Sequence, residues 1–167
     1  MKPRRSFLKL STFLGLSSFL GANISKDEDK HLRLVLPTLV SVLMHMFPKE
    51  SPLSLSSQEA TERFLLGAIQ EKSFDKDIRE FIIKGAERMI ALNKKTFLHM
   101  NTQEKEEALR AYEESSYGRT WLSRILVMGL EANLSDPIYG GNLNEQGWKA
   151  LDSFAGMPRP KRRYIDV

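Results

Sequence analysis

The 167-residue chain carries 25 lysines and arginines against 21 aspartates and glutamates, a net charge of +4. Four of the basic residues and none of the acidic ones fall in the first 24 positions, so the remainder balances at 21 against 21. That leaves no broad basic face to displace counterions from phosphate, which argues against nucleic acid as a partner. Cysteine is absent, which excludes disulfides, thiolate metal sites, a C-x-x-C-H haem attachment and a lipidated cysteine in this chain.

The first element, residues 1–24, reads as an export segment. Lys2, Arg4, Arg5 and Lys9 form a basic start, Leu10 to Leu20 is mostly apolar, and the small residues Gly21 and Ala22 lead into a polar run, Ser25 to Lys30. The adjacent Arg4 and Arg5, with Phe7, Leu8 and Lys9 behind them, resemble the twin-arginine consensus. Leu10 to Ile24 is 15 residues, about 22 Å as a helix, and a hydrocarbon core is about 30 Å thick. The stretch is short for a membrane span and suits a signal. Cleavage after Ala22 places Leu20 at −3, which is not a clean A-x-A site. Removal and retention as an uncleaved anchor therefore both stay open. The expected location is the periplasm, reached through the twin-arginine translocase. A cut near Ala22 leaves about 145 residues, one domain's worth. The domain is expected over 25–156, followed by a basic, Pro-containing tail over 157–167.

Helical periodicity runs through the whole domain. His31 to Phe47 places Leu32, Leu36, Leu39, Leu43 and Phe47 three or four apart. This helix is apolar almost all round, which predicts a central position. Asp27, Glu28 and Asp29 suit its start, and Pro37 must either kink it or sit in its first turn. Ser56 and Glu59 have capping-box spacing ahead of Phe64, Leu65, Ala68 and Ile69. A third and longest helix is expected from near Phe74, with the stripe Phe74, Ile78, Phe81, Gly85, Met89 and Leu92. Asn101, with Glu104 three on, caps a fourth, and Glu106 pairs with Arg110 on its outer face. Ser115 to Gly118 reads as a helix stop and loop. Trp121, Ile125, Met128 and Ala132 mark a fifth helix, and a short sixth is expected between Asn144 and Gly156. No stretch alternates long enough for a strand. The expected fold is all-α, an irregular bundle of five or six helices.

Catalytic signatures are missing. His31, His45 and His99 have no partner at metal-site spacing, and the adjacent pairs Glu106–Glu107 and Glu113–Glu114 do not share a helix face. There is no G-x-G-x-x-G, Walker loop or G-x-S-x-G. What stands out is Asp136-Pro137-Ile138-Tyr139-Gly140-Gly141-Asn142, followed by Gly147-Trp148. Asp136 and Pro137 favour a turn; Gly140 and Gly141 permit positive φ and Asn142 tolerates it. Two readings fit these residues: a helix–helix connector, or a rigid loop offering Tyr139 and Trp148 as interface anchors.

At this loop the sequence resembles the gluconate 2-dehydrogenase subunit 3 family, whose signature runs close to F-x-D-P-x-Y-G-G-N and then G-W-K. Asp136, Pro137, Tyr139, Gly140, Gly141, Asn142, Gly147, Trp148 and Lys149 match it. Weaker echoes are Leu36 to Pro48 and Phe97 to Asn101. The chain departs after Trp148, where the family continues to a Gly-Phe-Pro-Gly turn. The resemblance implies a non-catalytic accessory subunit without a cofactor of its own. Its partners would be a large FAD-carrying flavoprotein and a membrane-bound c-type cytochrome subunit that holds haem. Asp136, Pro137, Tyr139, Gly140, Gly141, Asn142 and Trp148 are then the candidate partner contacts. The alternative is a free-standing periplasmic helical protein that binds a ligand or acts as an enzyme.

Overall fold

Ser25 opens the first helix with a reciprocal capping box. Its hydroxyl accepts from the Glu28 N–H at 3.1 Å, and the Glu28 carboxylate accepts from the Ser25 N–H at 3.0 Å. These bonds, against the opposing effect of burial, hold the Glu28 carboxyl below its ordinary value. The computed structural model describes residues 24–93, 96–154 and 156–163. Arg4, Arg5, Phe7, Leu8 and Lys9 of the export segment lie outside the described residues. Among those described there are six α-helices and no strand: α1 (Lys26–Met46), α2 (Gln58–Ile69), α3 (Lys76–Leu92), α4 (Thr102–Glu113), α5 (Ser116–Leu134) and α6 (Gln146–Ala150). Short 3-10 turns at Phe97–His99, Pro137–Tyr139 and Leu143–Glu145 join them. The expected all-α bundle is what forms. No described helix is long and apolar enough to cross a membrane.

Two helices occupy the centre. α1 packs on α2, α3, α5 and the Phe97–His99 turn; α5 packs on α1, α2, α3, α4 and α6. The leucines at 32, 36, 39 and 43 are buried as their spacing predicts, and Val35, Val40 and Val42 fill the intervening positions. α1 begins at Lys26, because Ser25 supplies the cap, and Asp27, Glu28 and Asp29 occupy its first turn as expected, where they suit the helix dipole. Pro37 therefore falls mid-helix rather than in the first turn, on an exposed side where the carbonyl it leaves without an N–H faces water. At 21 residues α1 is also longer than the 17-residue α3, so the expectation that α3 is the longest is not met.

α2 is capped by Ser57, whose hydroxyl accepts from the Ala60 N–H at 3.1 Å, and not by Ser56. α3 starts at Lys76 behind the cap Asp75, two residues later than expected. Its buried side includes Gly85 and Met89 of the expected stripe together with Arg79, Ile82, Ile83 and Ala86; Phe74, Ile78 and Phe81 are partly buried against the core, and Leu92 is left exposed. Arg79 is wholly buried. Its guanidinium donates to the Ile69, Glu71 and Phe74 carbonyls at 2.8–3.4 Å, closing the end of α2 where orphan carbonyls collect. The Asn101 capping box and the Glu106–Arg110 pair form as predicted. Ser115 stops one helix but also caps the next: α5 starts one residue later, with Gly118 inside it.

α5 and α4 both lock onto α3 through polar groups inside the core, α5 by Trp121 and α4 by Tyr112. The Trp121 indole N–H donates to the Ile82 carbonyl at 3.0 Å, and the Tyr112 hydroxyl donates to the Gly85 carbonyl at 2.8 Å. The two rings meet edge to face at 5.5 Å. Burial pushes the Tyr112 phenol up to about 12. Gly85 is what admits Trp121, since a Cβ there would stand 1.9 Å from the indole Cδ1. Gly85→Ala should therefore lower stability by about 1–3 kcal/mol, the overpacking penalty outweighing a helix-propensity gain of about 1 kcal/mol. Urea unfolding followed by circular dichroism measures this; an unchanged midpoint would mean that Trp121 is not wedged against α3.

Candidate functional site: the stapled corner after α5

α5 ends where Ser135 donates its N–H to the Glu131 carbonyl at 2.8 Å. Asp136 is extended, and its carboxylate accepts from the Ile138 N–H at 3.0 Å, capping the Pro137–Tyr139 turn. Pro137 takes the first position of that turn, where its missing N–H is not needed. Gly140 closes the turn with φ +95, beside the Arg63 side chain of α2. Gly141 has a different role from the positive φ expected of it. A Cβ there would lie 2.3 Å from the Ala132 carbonyl oxygen. Its bareness lets the chain fold back flat on the end of α5.

Asn142 then makes the central contacts. It is 2 % exposed and holds φ +43. Its N–H donates to the Ala132 carbonyl at 2.7 Å, and its side-chain amide donates to the Ser135 carbonyl at 2.9 Å. Its side-chain carbonyl accepts from the Gly147 N–H at 2.9 Å. One buried side chain thus ties the end of α5 to the start of α6. Gly147 is required by closeness as well, since a Cβ would stand 1.9 Å from the Asn133 carbonyl oxygen. The Trp148 indole N–H donates to the Leu134 carbonyl at 2.8 Å. Leu143 N–H donates to the Ser56 hydroxyl at 3.1 Å, fixing the corner to the chain just before α2. That contact explains why Ser56 is not the α2 cap.

The tail adds an outer clasp. Arg159 lies over the Trp148 ring at 4.7 Å and donates to Asp136 at 3.0 Å and to Glu145 at 2.8 Å. Read in sequence as one of a basic cluster, Arg159 is instead committed to the loop. Burial works to raise the Asp136 carboxyl, but the Arg159 guanidinium and the Ile138 N–H outweigh it and hold the group below its ordinary value. Arg159 is raised in turn by Asp136 and Glu145.

The seven candidate contact residues therefore share one corner, but they face different ways. Asp136, Gly141 and Asn142 turn inward and spend their polar atoms or their bareness on the fold. Pro137, Tyr139, Gly140 and Trp148 are half-buried. Tyr139 packs on the core and borders a groove of about 420 Å³ with Phe64, Phe74, Arg124, Glu131 and Ser135. The residues that reasoning along the chain did not assign to the site are Ser56, Asn133, Glu145 and Arg159. Ser56 and Arg159 reach it from a distance, whereas Asn133 and Glu145 lie beside and within the loop without a turn or capping signal to mark them. The histidines stay outside it: His31 pairs with Glu87, His45 bonds Glu106 at 3.2 Å and meets Phe97 edge to face, and His99 sits in the Phe97–His99 turn. Among the described residues no group of three or more His, Cys, Asp or Glu is placed to hold a metal ion. Comparison with protein-family models, curated proteins and solved structures finds no match to this chain.

Two outcomes follow from this geometry. Asn142→Ala leaves the Ser135 carbonyl and the Gly147 N–H without their buried partners and puts alanine at positive φ, so stability should fall by about 2–4 kcal/mol; an unchanged unfolding midpoint would mean the staple does not form. Acid should also loosen the corner. Asp136, with its lowered pKa, contributes stability above the ordinary aspartate range of about 4, lost as pH falls through the lowered value. Arg159→Met keeps the stem over Trp148 but removes both ion pairs. The variant should lose less stability than the parent between about pH 7 and about pH 3, and equal losses would contradict the clasp.

Proposed function

We propose that this chain is the non-catalytic small subunit of a periplasmic, FAD-dependent, gluconate 2-dehydrogenase-like dehydrogenase complex. It carries the twin-arginine signal for a large flavoprotein subunit that has none and helps that subunit assemble and cross the membrane. FAD resides in the large subunit, and a c-type cytochrome subunit carries electrons onward on the periplasmic face of the inner membrane. The chain's own work is binding.

One observation carries the reading. The residues that match the family signature, Asp136 to Asn142 with Gly147 and Trp148, form a single stapled corner held by Asn142. A connector between helices needs one turn; this one has a buried amide staple, two sterically required glycines and an ion-paired clasp. Such rigidity is useful to a surface that must meet a partner without paying an ordering cost. The leader supports the same division of labour. The twin-arginine route moves folded proteins, and a folded-cargo signal on a bundle without a cofactor motif points to a partner as the cargo. A permanent interface of this kind would bury about 2,000 Å² or more.

A second reading, a free-standing helical ligand-binding protein, is favoured by the groove beside Tyr139. Its wall includes Arg124 and Ser135, whose Nε and hydroxyl are buried without hydrogen-bond partners. The shared export of the flavoprotein decides between them. Replacing Arg4 and Arg5 together with lysine should leave the flavoprotein in the cytoplasm when cell fractions are assayed for it; a flavoprotein that still reaches the periplasm would defeat the carrier reading.

A further inference from the structure

Beyond α6 the chain carries an apolar feature that neither the core nor the proposed carrier role uses. Phe154 is 89 % exposed and Met157 85 %, the two most exposed large hydrophobic residues among those described, and Leu151 is 51 % exposed. They fall within seven positions of one another. The segment that bears them is held at both ends. On one side the Leu151 and Ser153 N–H groups donate to the Trp148 carbonyl at 3.1 and 2.8 Å. On the other, Arg159 is clasped to Asp136 and Glu145. Among the described residues between these two anchors, Phe154 and Met157 thus turn their apolar side chains into water.

Charge identifies what would cover it. Just past the clasp, Lys161 and Arg162 are exposed and form no ion pair among the described residues. From Lys149 to Arg163 the only acid is Asp152. Lysine is depleted at the buried centre of protein–protein interfaces, so this pairing suits a protein pocket poorly. Apolar side chains flanked by cations are instead what an anionic bilayer accepts, with the first entering the acyl boundary and the second meeting the headgroups. We propose that Leu151, Phe154 and Met157 form a membrane-surface contact, entering the lipid while Lys161 and Arg162 bind anionic headgroups. Each inserted side chain strengthens binding about tenfold and each cation about fivefold. The product is reversible, peripheral attachment. The inference stands apart from the carrier role, because it needs neither the flavoprotein nor the signal.

The absence of cysteine makes a site-specific test simple. The full-length chain is given a single cysteine, Phe154→Cys or, as a reference on the outer side of α5, Ser123→Cys, and is labelled with nitrobenzoxadiazole. Binding through any other part of the chain brings both labelled proteins to the vesicle, but only insertion at the proposed contact changes the surroundings of the label at position 154. With vesicles of phosphatidylglycerol and phosphatidylethanolamine, emission at 154 should rise several-fold and shift to the blue, while the 123 label stays unchanged. Adding Lys161→Glu and Arg162→Glu should weaken the response at least tenfold, and pure phosphatidylcholine should give little. Three results would overturn the proposal: no change at 154 with anionic vesicles, equal changes at 154 and 123, or a response at 154 to a protein partner and not to lipid.

Discussion

The corner after α5 depends on the buried amide of Asn142. Through it the Ser135 carbonyl and the Gly147 N–H find partners inside the protein, and the backbone N–H of the same residue serves the Ala132 carbonyl. Each such bond contributes about 1 kcal/mol net, but leaving its partner unsatisfied costs more. The constraint explains its neighbours. Gly141 must be bare for Asn142 to reach Ala132, Gly147 must be bare to pass the Asn133 carbonyl, and Trp148 is thereby placed to donate to Leu134. Only then does Trp148 offer the face on which Arg159 rests.

The corner can be rigid because the helix it grows from is rigid. α5 touches every other helix of the described bundle, and Trp121 pins it to the bare backbone at Gly85. A Cβ at Gly129 would stand 2.2 Å from the Phe47 ring, so the same helix also seats closely against the end of α1. Position then passes outward in steps, from the packed centre to Ala132 and Leu134, to the Asn142 staple, and to the Arg159 clasp at the surface.

How much of this the chain discloses depends on the range of the interaction. The helices were legible because their signals are local. The leucine spacing of α1, the Asn101–Glu104 box and the Trp121, Ile125, Met128 and Ala132 stripe need only neighbouring residues. Where a distant group intervenes, local spacing misleads. Ser56 has capping-box spacing but is taken by the Leu143 N–H, 87 residues away, which leaves the cap to Ser57. The expected α3 stripe meets the core, fully at Gly85 and Met89 and partly at Phe74, Ile78 and Phe81, but its pattern does not reveal Arg79, which is drawn inside by the carbonyls of Ile69 and Glu71. At the corner, turn chemistry was visible from Asp136 and Pro137, but the reason for Gly141 was not, since it lies in the path of a carbonyl nine residues earlier. Arg159 shows the same limit, because a lone arginine in a basic tail does not announce two carboxylates more than ten residues back.

The central functional claim is that a preorganised helical bundle serves a flavin-bearing partner. It is tested most directly by isolating the tagged chain from the periplasm of its own cells without denaturant and recording the absorption spectrum of the material. The account predicts a large subunit recovered in equal amount with the chain, together with flavin absorption bands. A stable, colourless monomer, recovered from cells in which the flavoprotein is present and correctly exported, would contradict it.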